Sequence, residues 1–283
     1  IGTNLWTPHH IAALIAGLST VMLAQSARGK PGSRQFAILT IAGFGFASAI
    51  GLSIMVTLVF IVFWGVWIVA LFLQKSERKL VTPMVFAGIV GILLASPFLL
   101  SMLRGDGGGT SQFPIVFEIR TLFPLESIVE KWPPLARSLI MLAVLPINYL
   151  FELGFFFIAG IYWLKIKEKG TYCSNPFYLA EILLLAVVLF IGSCLRSTQL
   201  TTNDLGWRSW LPGQFILLVW GVDILENMVF TTIPASNIEA IKTRNLLLIL
   251  VSIGILTSTL DVISLRLGFP VILGKEVGKR SYS

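Results

Sequence analysis

Apolar residues run along this chain in long stretches separated by short polar loops. Ile54–Leu73 carries no charged residue over its whole length. Runs of about eighteen apolar residues or more match the hydrocarbon core of a bilayer when wound as an α-helix. In lipid every backbone amide must be paired within the segment, which a helix achieves by itself. A membrane β-barrel would instead alternate apolar and polar positions, and Ile54–Leu73 does not alternate.

The pattern predicts an all-α polytopic membrane protein of about eight spans. They fall at Pro8–Gln25, Phe36–Ala49, Leu52–Gln74, Thr82–Leu103, Leu135–Trp163, Phe177–Leu195, Leu211–Phe230 and Arg244–Phe269. Phe36–Gln74 is too long for one helix, so a break is expected there. Gly43, Gly45, Ser48 and Gly51 suggest both that break and close helix contact. Leu135–Trp163 is long, with a kink expected at Pro146. The whole of 1–283 reads as a single helical membrane domain with outer loops at 1–7, 104–134 and 196–210. The first residue is Ile1 and no signal-peptide pattern follows. The expectation is therefore a fragment or processed chain whose first helices precede Ile1.

Composition agrees with this reading. The 283 residues are 55% hydrophobic and only 12% charged, against roughly 25% charged in soluble domains. The net charge of +7 implies no nucleic-acid partner, because the cations sit in short loops between spans. Arg28, Lys30, Arg34, Lys75, Arg78, Lys79, Lys165, Lys167, Lys169, Lys242 and Arg244 fall on one side, with only Glu77, Glu168 and Glu239 as acids there. By the positive-inside rule that side is cytoplasmic. The loops at 4–10, 104–134 and 196–210 then share the outer side of an inner (plasma) membrane, and so does the tail. Cys173 and Cys194 lie about 30 Å apart along one helix and cannot pair. With both replaced, cysteines placed at Ser76 or Lys167 are expected to be shielded from an impermeant thiol reagent in intact cells. Cysteines at Ser111 or Thr201 are expected to react, and the reverse pattern would overturn the orientation.

The candidate chemistry lies at the outer boundary. Arg196–Gln214 holds two arginines, an Asn-Asp-Leu-Gly turn and two tryptophans. Arginine grips phosphate through a bidentate fork, and Asn-Asp-Leu-Gly is turn chemistry. Arg196, Asn203, Asp204 and Arg208 are thus candidate ligand-binding residues. The alternative is an Asp204–arginine pair, with Trp207 and Trp210 anchoring the interface. Trp6-Thr7-Pro8-His9-His10 opens the first span, with Pro8 in the first turn. His9 and His10 point about 100° apart, which is not a zinc-helix pair. Either could still bond a phosphate or hydroxyl. Glu152, Glu181, Asp223, Glu226 and Asp261 fall inside expected spans, where a charge costs about 2.5–3.5 kcal/mol to insert. They suggest either a transporter's proton relay or carboxyls bonded to neighbouring helices. Gly107–Gly109 lacks the lysine of a phosphate-binding loop, and no cofactor motif is present.

Several motifs together resemble the polytopic bacterial membrane glycosyltransferases of GT-C type. They are W-x-P-H-H opening a span, L-P-x-x-Y-L-x-E-L-G at Leu145–Gly154 and N-D-L-G-W-R at Asn203–Arg208. L-P-x-Q-F at Leu211–Phe215 and L-D-V-x-S-L-R at Leu260–Arg266 complete the set. The resemblance implies transfer of a sugar from a polyprenyl-phosphate carrier on the extracytoplasmic face to a lipid, glycan or protein. It implies that His9, His10, Arg196, Asn203, Asp204 and Arg208 hold the carrier phosphate and orient the sugar. The family's catalytic acid sits in an outer loop that would precede Ile1. Cations, or a divalent metal, would stabilise the phosphate leaving group. Two other functions remain open: a proton-coupled secondary transporter and a non-catalytic membrane subunit. No second copy of any motif is visible, whereas transporters often carry inverted repeats.

Overall fold

A computed structural model of the chain describes residues 8–74, 77–104, 115–121, 125, 128–166, 176–197, 204–229 and 238–264. In chain order the helices are α1 (Pro8–Ser26), α2 (Gly32–Leu52), α3 (Ile54–Leu73), α4 (Arg78–Arg104), α5 (Pro134–Leu153), α6 (Phe155–Ile166), α7 (Pro176–Cys194), α8 (Asp204–Arg208), α9 (Leu211–Val229) and α10 (Ile238–Ile263). Two three-residue strands interrupt them, β1 (Ile115–Phe117) and β2 (Leu195–Ser197). Among the described residues, five segments are long and apolar enough to cross a membrane: Gly32–Leu52, Ile54–Leu73, Arg78–Ser101, Pro134–Leu153 and Ile241–Leu260. The protein is an all-α polytopic membrane protein. The spans expected at Pro8–Gln25, Phe177–Leu195 and Leu211–Phe230 are also helices, α1, α7 and α9, each of 19 residues.

The chain divides into two compact units. One comprises Gly2–Pro146 and Lys167–Ile216, the other Ile147–Ile166 and Leu217–Ser283. In the first unit α2 packs along both α1 and α4. Lipid gives helices no hydrophobic reason to associate, so close contact through small residues must supply the attraction. Gly43 serves this purpose: a Cβ there would lie 2.8 Å from the Ala87 carbonyl oxygen and 2.9 Å from Val90 Cβ. Gly17 of α1 lies against the Phe60 ring of α3, and Gly45 of α2 against Thr20 of α1. Thr20 Oγ1 donates to the carbonyls of Ala16 at 2.9 Å and Ala42 at 3.3 Å, tying α1 to α2. Trp64 of α3 meets Phe46 edge-on, with 4.7 Å between ring centroids. Its indole N–H donates to Met84 O of α4 at 3.1 Å. Pro97 in α4 leaves the Leu93 carbonyl without its i+4 amide, and Ser96 Oγ donates to that oxygen at 2.7 Å.

The break expected in Phe36–Gln74 falls at Ser53. Its backbone is extended, with φ −159° and ψ 109°, and its hydroxyl accepts from Val56 N–H as the cap of α3. An N-cap serine satisfies one of the four orphan amides of a helix start. Gly43 and Gly45 lie inside α2 and serve contact, not the break.

Leu135–Trp163 differs from the expectation. Pro146 lies inside α5, and the chain breaks eight residues later at Gly154, whose φ is +49°. That left-handed conformation suits glycine and is the usual way a helix ends. In the second unit, Trp163 of α6 stacks on Trp220 of α9 at 4.1 Å and 4° between planes. Gly221 of α9 accommodates the Phe155 ring of α6. Helix α10 packs on α6, and its stretch from Ser252 to Leu260 is exposed, as a lipid-facing helix would be.

Candidate functional site

The Ser53 junction is the hub of the site. His10, in the first turn of α1, is only 3% exposed. Its Nδ1 lies 2.7 Å from Ser53 Oγ, a buried hydrogen bond. Ser53 therefore caps α3 and holds the start of α1 with the same oxygen. His9 is exposed, with its ring centroid 4.1 Å from that of His10. One of the two adjacent imidazoles thus supports the fold, and the other faces outward.

Two residues after Ser53, Met55 meets the late loop. Arg208 Nη1 lies 4.0 Å from Met55 Sδ. Arg208 ends α8, the single helical turn into which Asp204–Arg208 folds, and α8 packs against α3, α7 and β2. Leu205 and Trp210 are buried on either side of the arginine, and Trp210 lies against Gly192 of α7. The early histidine and the late arginine thus reach one short segment, Ser53–Met55, from opposite ends of the sequence. Two hydroxyls, Thr57 Oγ1 two residues after Met55 and Ser209 Oγ next to Arg208, are buried without a hydrogen-bond partner among the described residues. Buried polar groups are almost always satisfied, so these are donors with capacity for an acceptor.

A second group forms where β1 pairs antiparallel with β2, with Val116 opposite Arg196. Glu118 continues the ladder, its N–H donating to Cys194 O at 3.0 Å. That register puts Glu118 diagonally across from Arg196 on one face. Arg196 Nη1 donates to both carboxylate oxygens, at 3.1 and 3.2 Å, with both side chains about 40% exposed. Arg120 lies over the Trp207 ring, 5.3 Å from its centroid. Glu118 also lines a cavity of about 300 Å³ with Glu130, Arg137 and Ser138.

Of the residues expected to bind ligand, His10 and Arg208 are brought to one place, and His9 lies beside His10. Arg196 has an acidic partner instead of an open fork. Asn203, like Trp6, Thr7 and Gly107–Gly109, lies outside the described residues. Asp204 opens α8, but its side chain is not among those described, and neither is that of Asp261. Sequence reasoning missed Ser53, Met55, Glu118 and Arg120. Ser53 carried a signal, a small hydroxyl residue between two apolar runs, which is the N-cap pattern. Glu118 and Arg120 carried none, because only the β1–β2 register places them. Among the described residues, no three His, Cys, Asp or Glu side chains gather as a metal site would. No known protein family, curated protein or solved structure matches the chain.

Two carboxylates inside the helices, Asp223 and Glu152, are engaged locally. Asp223 Oδ2 accepts from Trp163 Nε1 at 2.8 Å and Oδ1 accepts from Asn227 Nδ2 at 3.0 Å. Glu152 Oε1 accepts from Asn148 Nδ2 at 3.4 Å, and Glu226 is exposed. Glu226→Gln, at an exposed position, is expected to leave thermal stability near the parent's, whereas Asp223→Asn keeps only one of two acceptors and is expected to cost about 1–3 kcal/mol. Loss of a pH-dependent solute flux in proteoliposomes on either change would instead identify a proton relay.

Proposed function

We propose that the protein is an integral membrane glycosyltransferase of GT-C type. It takes a sugar from a polyprenyl-phosphate carrier at the extracytoplasmic face of the inner (plasma) membrane. The observation that most supports this reading is the meeting of His10 and Arg208 at the Ser53–Met55 segment. In the proposal Arg208 is the principal phosphate grip, since its guanidinium reaches the Ser53–Met55 segment where His10 also lies. Arg196 contributes less, because Glu118 already neutralises it. Buried His10 acts through Ser53 to fix the site's floor, and exposed His9 is the imidazole that reaches sugar or phosphate. The Ser209 and Thr57 hydroxyls add donors. As the glycosidic bond breaks, negative charge grows on the carrier phosphate, and a guanidinium held in place stabilises it without reorganisation.

The transporter reading finds less support, since Asp223 is engaged by Trp163 and Asn227. The test is equilibrium binding of a short-chain polyprenyl phosphate to the purified full-length protein in detergent. Saturable binding that the corresponding polyprenol competes for only weakly is expected. Polyprenol binding as tightly as its phosphate would remove the basis for a phosphate site.

A further inference from the structure

The turn between α1 and α2 and the start of α4 enclose a cavity of about 490 Å³, lined by Arg28, Lys30, Gln35, Glu77 and Lys79 among others. Three cations face one acid. Arg28 is the anchor, its side chain only 17% exposed and its Nη2 2.5 Å from Glu77 Oε1. Its other terminal nitrogen, Nη1, is buried and has no hydrogen-bond partner among the described residues. A buried guanidinium N–H without an acceptor is costly, and an arriving anion would recover that cost. Arg78 is directed elsewhere, donating to Phe72 O at 2.8 Å and lying over the Phe72 ring. The cavity's positive charge therefore comes from Arg28, Lys30 and Lys79.

The backbone adds to this. Gly29 adopts φ +67°, which turns the chain sharply into α2. The residue capping α2 is Pro31, which makes no side-chain cap hydrogen bond to the first amides of this 21-residue helix. Gly32, the first residue of α2, lines the cavity. Uncapped amides at a helix start favour an anion. The cavity also lies where α1 and α3 end and α2 and α4 begin, at one end of the candidate spans α2, α3 and α4.

We propose that this cavity is a binding site for a phosphate group, presented by the headgroup of an anionic phospholipid. Arg28 Nη1 and Lys79 bond the phosphate oxygens, Lys30 adds charge at the rim, and Glu77 holds Arg28 in place while competing for it. Basic pockets between membrane helices on the cytoplasmic side take lipid headgroups for the same electrostatic reason. The site is independent of the glycosyltransferase reading and lies among the loops at the opposite helix ends from His10.

The test reconstitutes the full-length protein in nanodiscs of phosphatidylcholine with a minor share of phosphatidylglycerol. Native mass spectrometry then counts the phosphatidylglycerol retained. The parent is expected to retain it, and Arg28→Gln and Lys79→Ala are each expected to weaken retention about five- to tenfold. Glu77→Gln is expected to strengthen retention, because it frees Arg28. A second arm titrates inorganic phosphate into phosphatidylcholine-only discs and follows phosphorus resonance. Saturation there that depends on Arg28 would sustain the phosphate site and assign it to a soluble anion. Retention unchanged by Arg28→Gln and Lys79→Ala, with no phosphate saturation, would overturn the proposal. So would Glu77→Gln weakening retention as much as Arg28→Gln, since Arg28 would then serve only the ion pair.

Discussion

Replacing Arg208 with alanine is expected to lower affinity for a polyprenyl phosphate by roughly tenfold to a hundredfold, with an unfolding temperature close to the parent's. The estimate follows from about 1.5–3 kcal/mol for a hydrogen bond to a charged group. Arg208→Lys is expected to fall between the two, because lysine keeps the charge and loses the planar fork. Arg196→Ala is expected to weaken binding less, since its guanidinium already bonds both oxygens of Glu118. Glu118→Gln releases that arginine and is expected to raise affinity modestly. Unchanged carrier affinity in Arg208→Ala, in a protein that binds the carrier, would sink the assignment. A large drop in unfolding temperature without a specific loss of affinity would make the arginine a structural partner of its loop.

Gly43→Leu is expected to be the most damaging single change to the fold, costing about 3 kcal/mol by overpacking. A Cβ at Gly43 already meets the Ala87 carbonyl oxygen at 2.8 Å. Backbone cannot swing aside as the end of a side chain can, so α2 and α4 must separate. Helix association in lipid depends on that approach. Gly65→Leu supplies the contrast, for a Cβ at Gly65 meets nothing within 4 Å, and its effect should stay within about 0.5 kcal/mol. Thermal unfolding of the two variants in one detergent makes the comparison. Equal loss in both would show that glycine's own flexibility, not the α2–α4 contact, sets stability.

Much of the architecture was legible in the chain because a bilayer imposes a simple rule, namely enough apolar residues to cross and polar residues where the helix emerges. That rule placed the helices near their observed positions and grouped the loops at 4–10, 104–134 and 196–210. Described residues of these loops form two groups, His10 with Arg208 at Ser53–Met55 and Glu118 with Arg196. The rule is silent on where a long apolar run bends. Pro146 drew attention because proline cannot donate an amide, yet α5 absorbs it. Gly154 ends the helix instead, and its position just after Glu152-Leu153 was the better signal, a glycine poised to take a left-handed cap. The β1–β2 ladder could not be read at all. Three residues have no periodicity to recognise, and their partners lie far along the chain, Phe117 opposite Leu195. The site was legible as residue types and not as partnerships. Sequence reasoning found both arginines but could not see that one is neutralised by Glu118 while the other reaches Met55.

Photo-crosslinking locates the proposed position of the carrier phosphate. A polyprenyl phosphate analogue bearing a diazirine next to its phosphate is bound to the full-length protein and irradiated, and the labelled peptides are sequenced. Labelling is expected in the Ser53–Thr57 segment and in residues around Arg208, competed away by unlabelled polyprenyl phosphate and lost in Arg208→Ala. Competable labelling confined to α6 and α10, or labelling around Arg208 that survives Arg208→Ala undiminished, would contradict it.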